Sequence, residues 1–105
     1  MDVFTALAAP TRREIIEMLA SKGKLSATDI SKKFHSTPPA ISQHLKILRQ
    51  AKLIKVEKLG QQRMYQIDID GMREFEEWSQ RMTHLWEKRF DVLEKLLKTE
   101  KEKSK

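Results

Sequence analysis

Between residues 37 and 50 the chain reads TPPAISQHLKILRQ, and its polar members are groups that hydrogen-bond well to nucleic acid. Gln43 offers a donor and an acceptor side by side, the pair that matches the major-groove edge of adenine. Ser42 can serve a base or a phosphate, and Lys46 can reach guanine or a phosphate. Ile41, Leu45 and Leu48 recur at helical spacing, so one stripe holds the helix to a core while Thr37, Pro39, Ser42, Gln43 and Lys46 face outward. Thr37 suits the N-cap and Pro38 the first helical position, which fixes where those side chains emerge. A polar helix face with one lysine is ordinarily just solvated, so the neighbouring elements must decide between the two readings.

A second group of candidates lies downstream. Lys58, Gln61, Gln62 and Arg63 surround Gly60, and their types suit a phosphate backbone or a minor groove; the plain alternative is an exposed turn. Upstream, Ser26 and Thr28 sit at the amino end of another short helical pattern, where free N–H groups favour a phosphate. Ser26 serves equally as a cap for its own helix, and both roles are compatible. His44, next to Leu45, is expected to pack partly on the body of the domain.

The elements that position these groups can be read from periodicity. DVFTALAA forms a first short helix with Phe4, Leu7 and Ala8 on one side. PTRREIIEMLAS forms a second, with Ile15, Ile16 and Leu19 inward, Arg12 and Arg13 mostly outward, and Gly23 as its stop. The third begins at Ser26, with Ile30 and Phe34 buried, and the fourth runs from Pro38 to about Gln50. LIKVEK and RMYQID then alternate with period two around Gly60 and predict a β-hairpin. From about Asp70 one long helix follows, its apolar residues Phe75, Trp78, Met82, Leu85, Trp86, Phe90, Leu93 and Leu97 recurring at three- and four-residue steps. The expected order is α-α-α-α-β-β-α, a mainly α fold with a small β-hairpin. Residues 1–98 are read as one domain and 99–105 as a disordered charged tail.

The chain of 105 residues has 21 Lys and Arg against 15 Asp and Glu, a net charge of +6. That excess favours a polyanionic partner, since each neutralised phosphate releases condensed counterions. Cysteine is absent, which excludes disulfides, thiolate metal sites and cysteine nucleophiles. The beginning, MDVFTALAAP, lacks the basic stretch and apolar run of a secretion signal, so a cytoplasmic location is expected. No nucleotide-binding glycine loop, paired carboxylates or serine–histidine arrangement argues for an enzyme.

Two short helices, the second proline-capped, followed by a hairpin, describe a winged helix-turn-helix, in which the second helix enters the major groove. ALAAPTRREIIEMLA, then PPAISQHLKILRQAKLIKV and the hairpin ending in RMYQI, resembles the ArsR/SmtB family of repressors over about residues 2–69. The terminal LWEKRFDVLEKLL resembles a metal-independent subgroup with a tryptophan-rich last helix. The resemblance implies a homodimeric, operator-binding repressor whose first and last helices form the interface. The apolar stripe Trp78, Met82, Leu85, Trp86, Phe90 and Leu93 suits such pairing, with Phe4 and Leu7 beside it; the plain alternative is a last helix folded back on its own domain. Pairing would set two recognition helices about 34 Å apart on a palindrome. The chain departs from the family at Ala9, where a capping residue usually precedes Pro-Thr-Arg; that weakens the helix start by about 1 kcal/mol.

Metal sensing is not expected. Where metal-responsive members carry a Leu-Cys-x-Cys-Asp-Leu signature, this chain reads LSATDI, and neither Ser26 nor Thr28 ionises to a soft ligand. A second family site on the last helix would need ligands where Gly71 and Arg73 stand, so His84 and Glu87 lack half of it; weak binding of an ion by His84, Glu87 and Asp91 is the alternative left open. No cofactor is expected. Two alternatives stay open: a metal-responsive repressor with a non-standard site, and a winged helix used only for protein contacts. The effector, if there is one, is not legible.

Overall fold

Cap chemistry decides where each helix begins. In the computed structural model, which describes residues 2–103, Asp2 caps α1 (Val3–Leu7) by accepting the Thr5 N–H at 2.8 Å and the Thr5 hydroxyl at 2.8 Å. α2 (Pro10–Lys22) starts at a proline behind Ala9, which makes no side-chain cap, as the residue type dictates. Its start is held instead by backbone bonds from Arg12 and Arg13 to the Ala9 carbonyl. Gly23 ends it at φ +88°, a conformation that favours glycine. Ser26 caps α3 (Ala27–Lys32), accepting the Asp29 N–H at 3.1 Å, and Thr37 caps α4 (Pro38–Gln50), accepting the Ala40 N–H at 3.3 Å.

The sheet differs from the expected hairpin. It has three antiparallel strands in the order β1-β3-β2, where β1 is Leu25–Ser26, β2 Ile54–Leu59 and β3 Gln62–Ile67. β1 pairs Leu25 with Tyr65 and Ser26 with Met64. Two residues carry no readable alternation, so sequence periodicity had no means of finding this strand. β2 and β3 pair from Ile54↔Ile67 to Leu59↔Gln62, leaving Gly60 and Gln61 as the loop. Gly60 takes φ +64° at the first loop position, as a tight hairpin connection requires.

α4 closes with a Schellman motif. Leu53 N–H donates to the Leu48 carbonyl at 3.1 Å and Lys52 N–H to that of Arg49 at 3.0 Å, while Lys52 occupies the left-handed position at φ +61°. Leu48 and Leu53, the hydrophobic pair that accompanies this motif, are both fully buried. They belong to one core with Ile15, Leu19, Ile30, Ile41, Leu45 and Ile54, every one less than 2% exposed. Burying a side chain of this size stabilises by roughly 1.5–3 kcal/mol, so the core locks α4 against α2, α3 and the sheet.

α5 (Ile69–Lys103) is a single helix of 35 residues, about 50 Å at 1.5 Å per residue. It starts slightly before the expected Asp70: Asp68 accepts the Gly71 N–H at 3.3 Å through its carboxylate and the Met72 N–H through its carbonyl. Residues through Arg73 form one compact unit and those from Glu74 another. The charged tail expected from residue 99 continues the helix to Lys103; residues 104 and 105 lie outside the described residues. Lys and Glu are good helix formers, and Asp91/Lys95 and Glu94/Lys98 stand at the supportive four-residue spacing just before it. No helix among the described residues is long and apolar enough to cross a membrane.

Candidate nucleic-acid interface

α4 divides sharply between its two faces. Ile41, Leu45 and Leu48 are at most 1% exposed, whereas Thr37, Pro39, Ser42, Gln43 and Lys46 all face solvent. Because Thr37 accepts the Ala40 N–H, its hydroxyl proton stays available to a phosphate oxygen. α3 packs against α4, and a cleft of about 400 Å³ between them is lined by Thr28, Ser31, Lys32, Pro38 and Ser42. Ser31 and Lys32 were not singled out from sequence. Their signal was their place three and four residues after Thr28 on the same short helix.

Ser26 is placed differently from Thr28. It is half-buried, paired with Met64 in the sheet, and its hydroxyl already caps α3. Lys58, Gln61, Gln62 and Arg63 are all exposed at the hairpin end, with Lys58 directly opposite Arg63 and Gln62 the first residue of β3. The acidic residue of β2, Glu57, is engaged by Lys24 at 2.9 Å, so its charge is answered locally. Both partners are about half exposed, and such a pair contributes on the order of 0–1 kcal/mol.

The charge is unevenly shared between the two units. Residues 1–73 hold thirteen Lys and Arg against seven Asp and Glu, a net +6, and residues 74–105 hold eight of each, a net zero. The whole excess therefore belongs to the unit that carries α4 and the hairpin.

Arg12 is not the outward side chain that its place in PTRREII suggested. It is half-buried, and its guanidinium meets three partners: Nε donates to the Ala6 carbonyl at 2.6 Å, Nη2 to the Thr5 carbonyl at 3.2 Å, and Nη1 lies 3.2 Å from His44 Nδ1 on α4. Arg13 adds a bond from Nη1 to the Leu7 carbonyl at 2.6 Å. A five-residue helix leaves most of its carbonyls unpaired, and this arginine pair supplies the missing donors. His44 is half-buried as expected, and burial together with the Arg12 charge pushes its pKa below the ordinary value.

The interface residues assigned to pairing are spread over α1 and α5. Phe4 is exposed and Leu7 half-buried on α1; Trp78, Met82, Leu85, Trp86, Phe90 and Leu93 are exposed along α5, Trp86 by as much as 67%. Val92, Leu96 and Leu97 extend the same exposure.

A short helix, a tight loop, a core-locked second helix with a polar outer face, and a two-stranded ribbon define the winged helix-turn-helix class of DNA-binding proteins. Residues 9–56 match the family described as "Bacterial regulatory protein, arsR family". The chain is 36% identical over 77 residues to the transcriptional repressor SdpR of Bacillus subtilis, covering 73% of this chain and 84% of that protein. With the HTH-type transcriptional regulator Rv2034 of Mycobacterium tuberculosis it shares 42% identity over 67 residues, 64% of this chain and 62% of that one. A solved ArsR family transcriptional regulator, RHA00566, superposes with a TM-score of 0.71 at 31% identity, covering 80% of this chain and 86% of the other. The chain belongs to the arsR family of regulatory proteins: it is a DNA-binding regulator of transcription and not an enzyme.

Proposed function

We propose that two copies of this chain bind a palindromic operator in the cytoplasm and repress the adjacent promoter. The observation that carries the reading is the split of α4, where a fully buried apolar stripe backs an exposed Thr37–Pro39–Ser42–Gln43–Lys46 face. In this reading Gln43 reads a base edge, Ser42 and Lys46 contact bases or phosphates, and Thr37 and Thr28 anchor the backbone. Lys58, Gln61, Gln62 and Arg63 lie along the flanking phosphates. Ser26 fixes the start of α3 and, because its hydroxyl accepts there as that of Thr37 does, keeps a proton to donate to a backbone phosphate beside Thr28.

Pairing is supported by the apolar side chains of α5. Leu85, Trp86, Phe90 and Leu93 are each at least half exposed, an apolar area that a monomeric protein seldom leaves in water. In the proposed dimer they meet a second copy, with Trp78 and Met82 beside them, and Phe4 and Leu7 of α1 belong to the same interface. Two copies double the base contacts that one 13-residue helix can make.

Selection of a preferred duplex from a random pool, with sedimentation of the free protein, tests the proposal. A dimer that enriches an inverted repeat with centres about 34 Å apart supports it. A monomer that enriches nothing at low salt refutes it.

A further inference from the structure

Each nitrogen of the Arg12 guanidinium has a partner on the protein, so this charge beside α4 is tied into the fold. Two of its bonds go to the end of α1, and the third crosses to His44, the residue that follows Gln43 on the recognition helix. Resting on the DNA-reading role of α4 above, we propose that Arg12 is a positioning residue for base recognition: it braces α4 against α1 through His44 and thereby sets how Gln43 is presented to a groove.

The chemistry of the pair makes the brace conditional. A guanidinium only donates, so His44 Nδ1 must accept, and the imidazole must be neutral with its proton on Nε2. Protonation fills Nδ1 and sets one cation against another at 3.2 Å, so the contact opens. Arg12 cannot yield a proton instead. Facing the ring from α2 is Arg12; α1 brings carbonyls already bound by that same side chain; among the described residues no other charged group shifts His44. The sign follows. Burial first, and the Arg12 charge second, favour the neutral ring, so the brace is complete at neutral pH and is lost as pH falls below the ordinary histidine value of 6.5 and through the lowered one.

General electrostatics runs the other way. Any positive charge the protein gains at lower pH strengthens attraction to every duplex alike. The discriminating quantity is therefore the ratio of affinities for a duplex selected at pH 7.5 and for a random duplex, measured at pH 7.5 and pH 5.0 at constant ionic strength. For the unaltered chain we expect that ratio to fall at least threefold at the lower pH. His44→Asn, which keeps an acceptor near the Nδ1 position but does not titrate, should hold the ratio constant. Arg12→Met should show the reduced ratio at both pH values, with circular dichroism at 222 nm confirming that the helices persist. If Arg12→Met proves unfolded, the comparison of the unaltered chain with His44→Asn decides alone. A ratio that is independent of pH in the unaltered chain, or one equally pH-dependent in His44→Asn, overturns the brace while leaving DNA reading intact. A chain that selects no duplex at pH 7.5 overturns both.

Discussion

Replacing Gly71 by alanine should unfold the start of α5 from its seat. Gly71 is buried in the first turn of that helix, and a Cβ built there falls 1.7 Å from the Lys52 carbonyl oxygen and 2.7 Å from its carbonyl carbon. Both are backbone atoms of the residue that closes the Schellman motif of α4, so neither can swing aside as a side-chain tip would. A carbon and an oxygen rest at a little over 3 Å, so roughly 1.5 Å of separation must be found by moving α5 or the α4–β2 joint. Helix propensity works in the opposite direction, since alanine is favoured over glycine by about 1 kcal/mol in a helix interior. Overpacking ordinarily costs about 1–3 kcal/mol, and a backbone clash this deep sits at the upper end. The net expectation is a loss of about 2 kcal/mol or more, read as a lower urea midpoint at unchanged slope by circular dichroism. An unchanged or raised midpoint would show that the joint yields freely and that glycine is not required there.

Three further outcomes are expected. Gln43→Ala should cost about 1–3 kcal/mol on a selected duplex and nothing on a random one, whereas Arg63→Ala should weaken both and lower the salt slope by about one; equal losses from Gln43→Ala on the two duplexes would remove its base-reading role. Trp86→Glu, at a side chain 67% exposed, should leave the thermal transition of the core intact but shift sedimentation toward the monomer, and a persistent dimer would place the interface elsewhere. Lys52→Gly should stabilise by about 1 kcal/mol, because φ +61° strains a side-chain-bearing residue, and a destabilised variant would mean that the entropy of the added glycine outweighs that strain.

Periodicity made most of the architecture legible. The stripes Ile15–Ile16–Leu19 and Ile41–Leu45–Leu48 are long enough to set both helix and face, and Thr37 followed by Pro38 marks a start that the structure keeps. Local chemistry also reports Ala9 correctly as a start without a side-chain cap. What stayed hidden depends on contacts between distant segments. β1 is two residues long and exists only because β3 lies beside it. Arg12 reads as an outward charge until α1 ends nearby with unpaired carbonyls and α4 brings His44 within 3.2 Å. Gly71 drew notice only as a residue unable to bind metal, since nothing near it in sequence shows that a backbone carbonyl 19 positions earlier will press against it. The polar face of α4 was readable because its residues lie on one element; the cleft residues Ser31 and Lys32 were not, because they count only once α3 is packed on α4.

The division of charge bears on how the two proposed activities respond to conditions. The unit bearing α4 and the hairpin holds the full +6, while the unit beginning at Glu74 is neutral and exposes Leu85, Trp86, Phe90 and Leu93. Duplex binding built on lysines and arginines must fall steeply with salt, as counterion release demands. Association built on apolar burial is nearly indifferent to moderate salt, because screening acts on charges and not on buried hydrocarbon. Raising salt from about 50 to 200 mM, the range over which several phosphate contacts change affinity by orders of magnitude, should therefore release the duplex and leave the dimer whole. Loss of both together would mean that the pairing surface is held by charges, and that the neutral helix is not its seat.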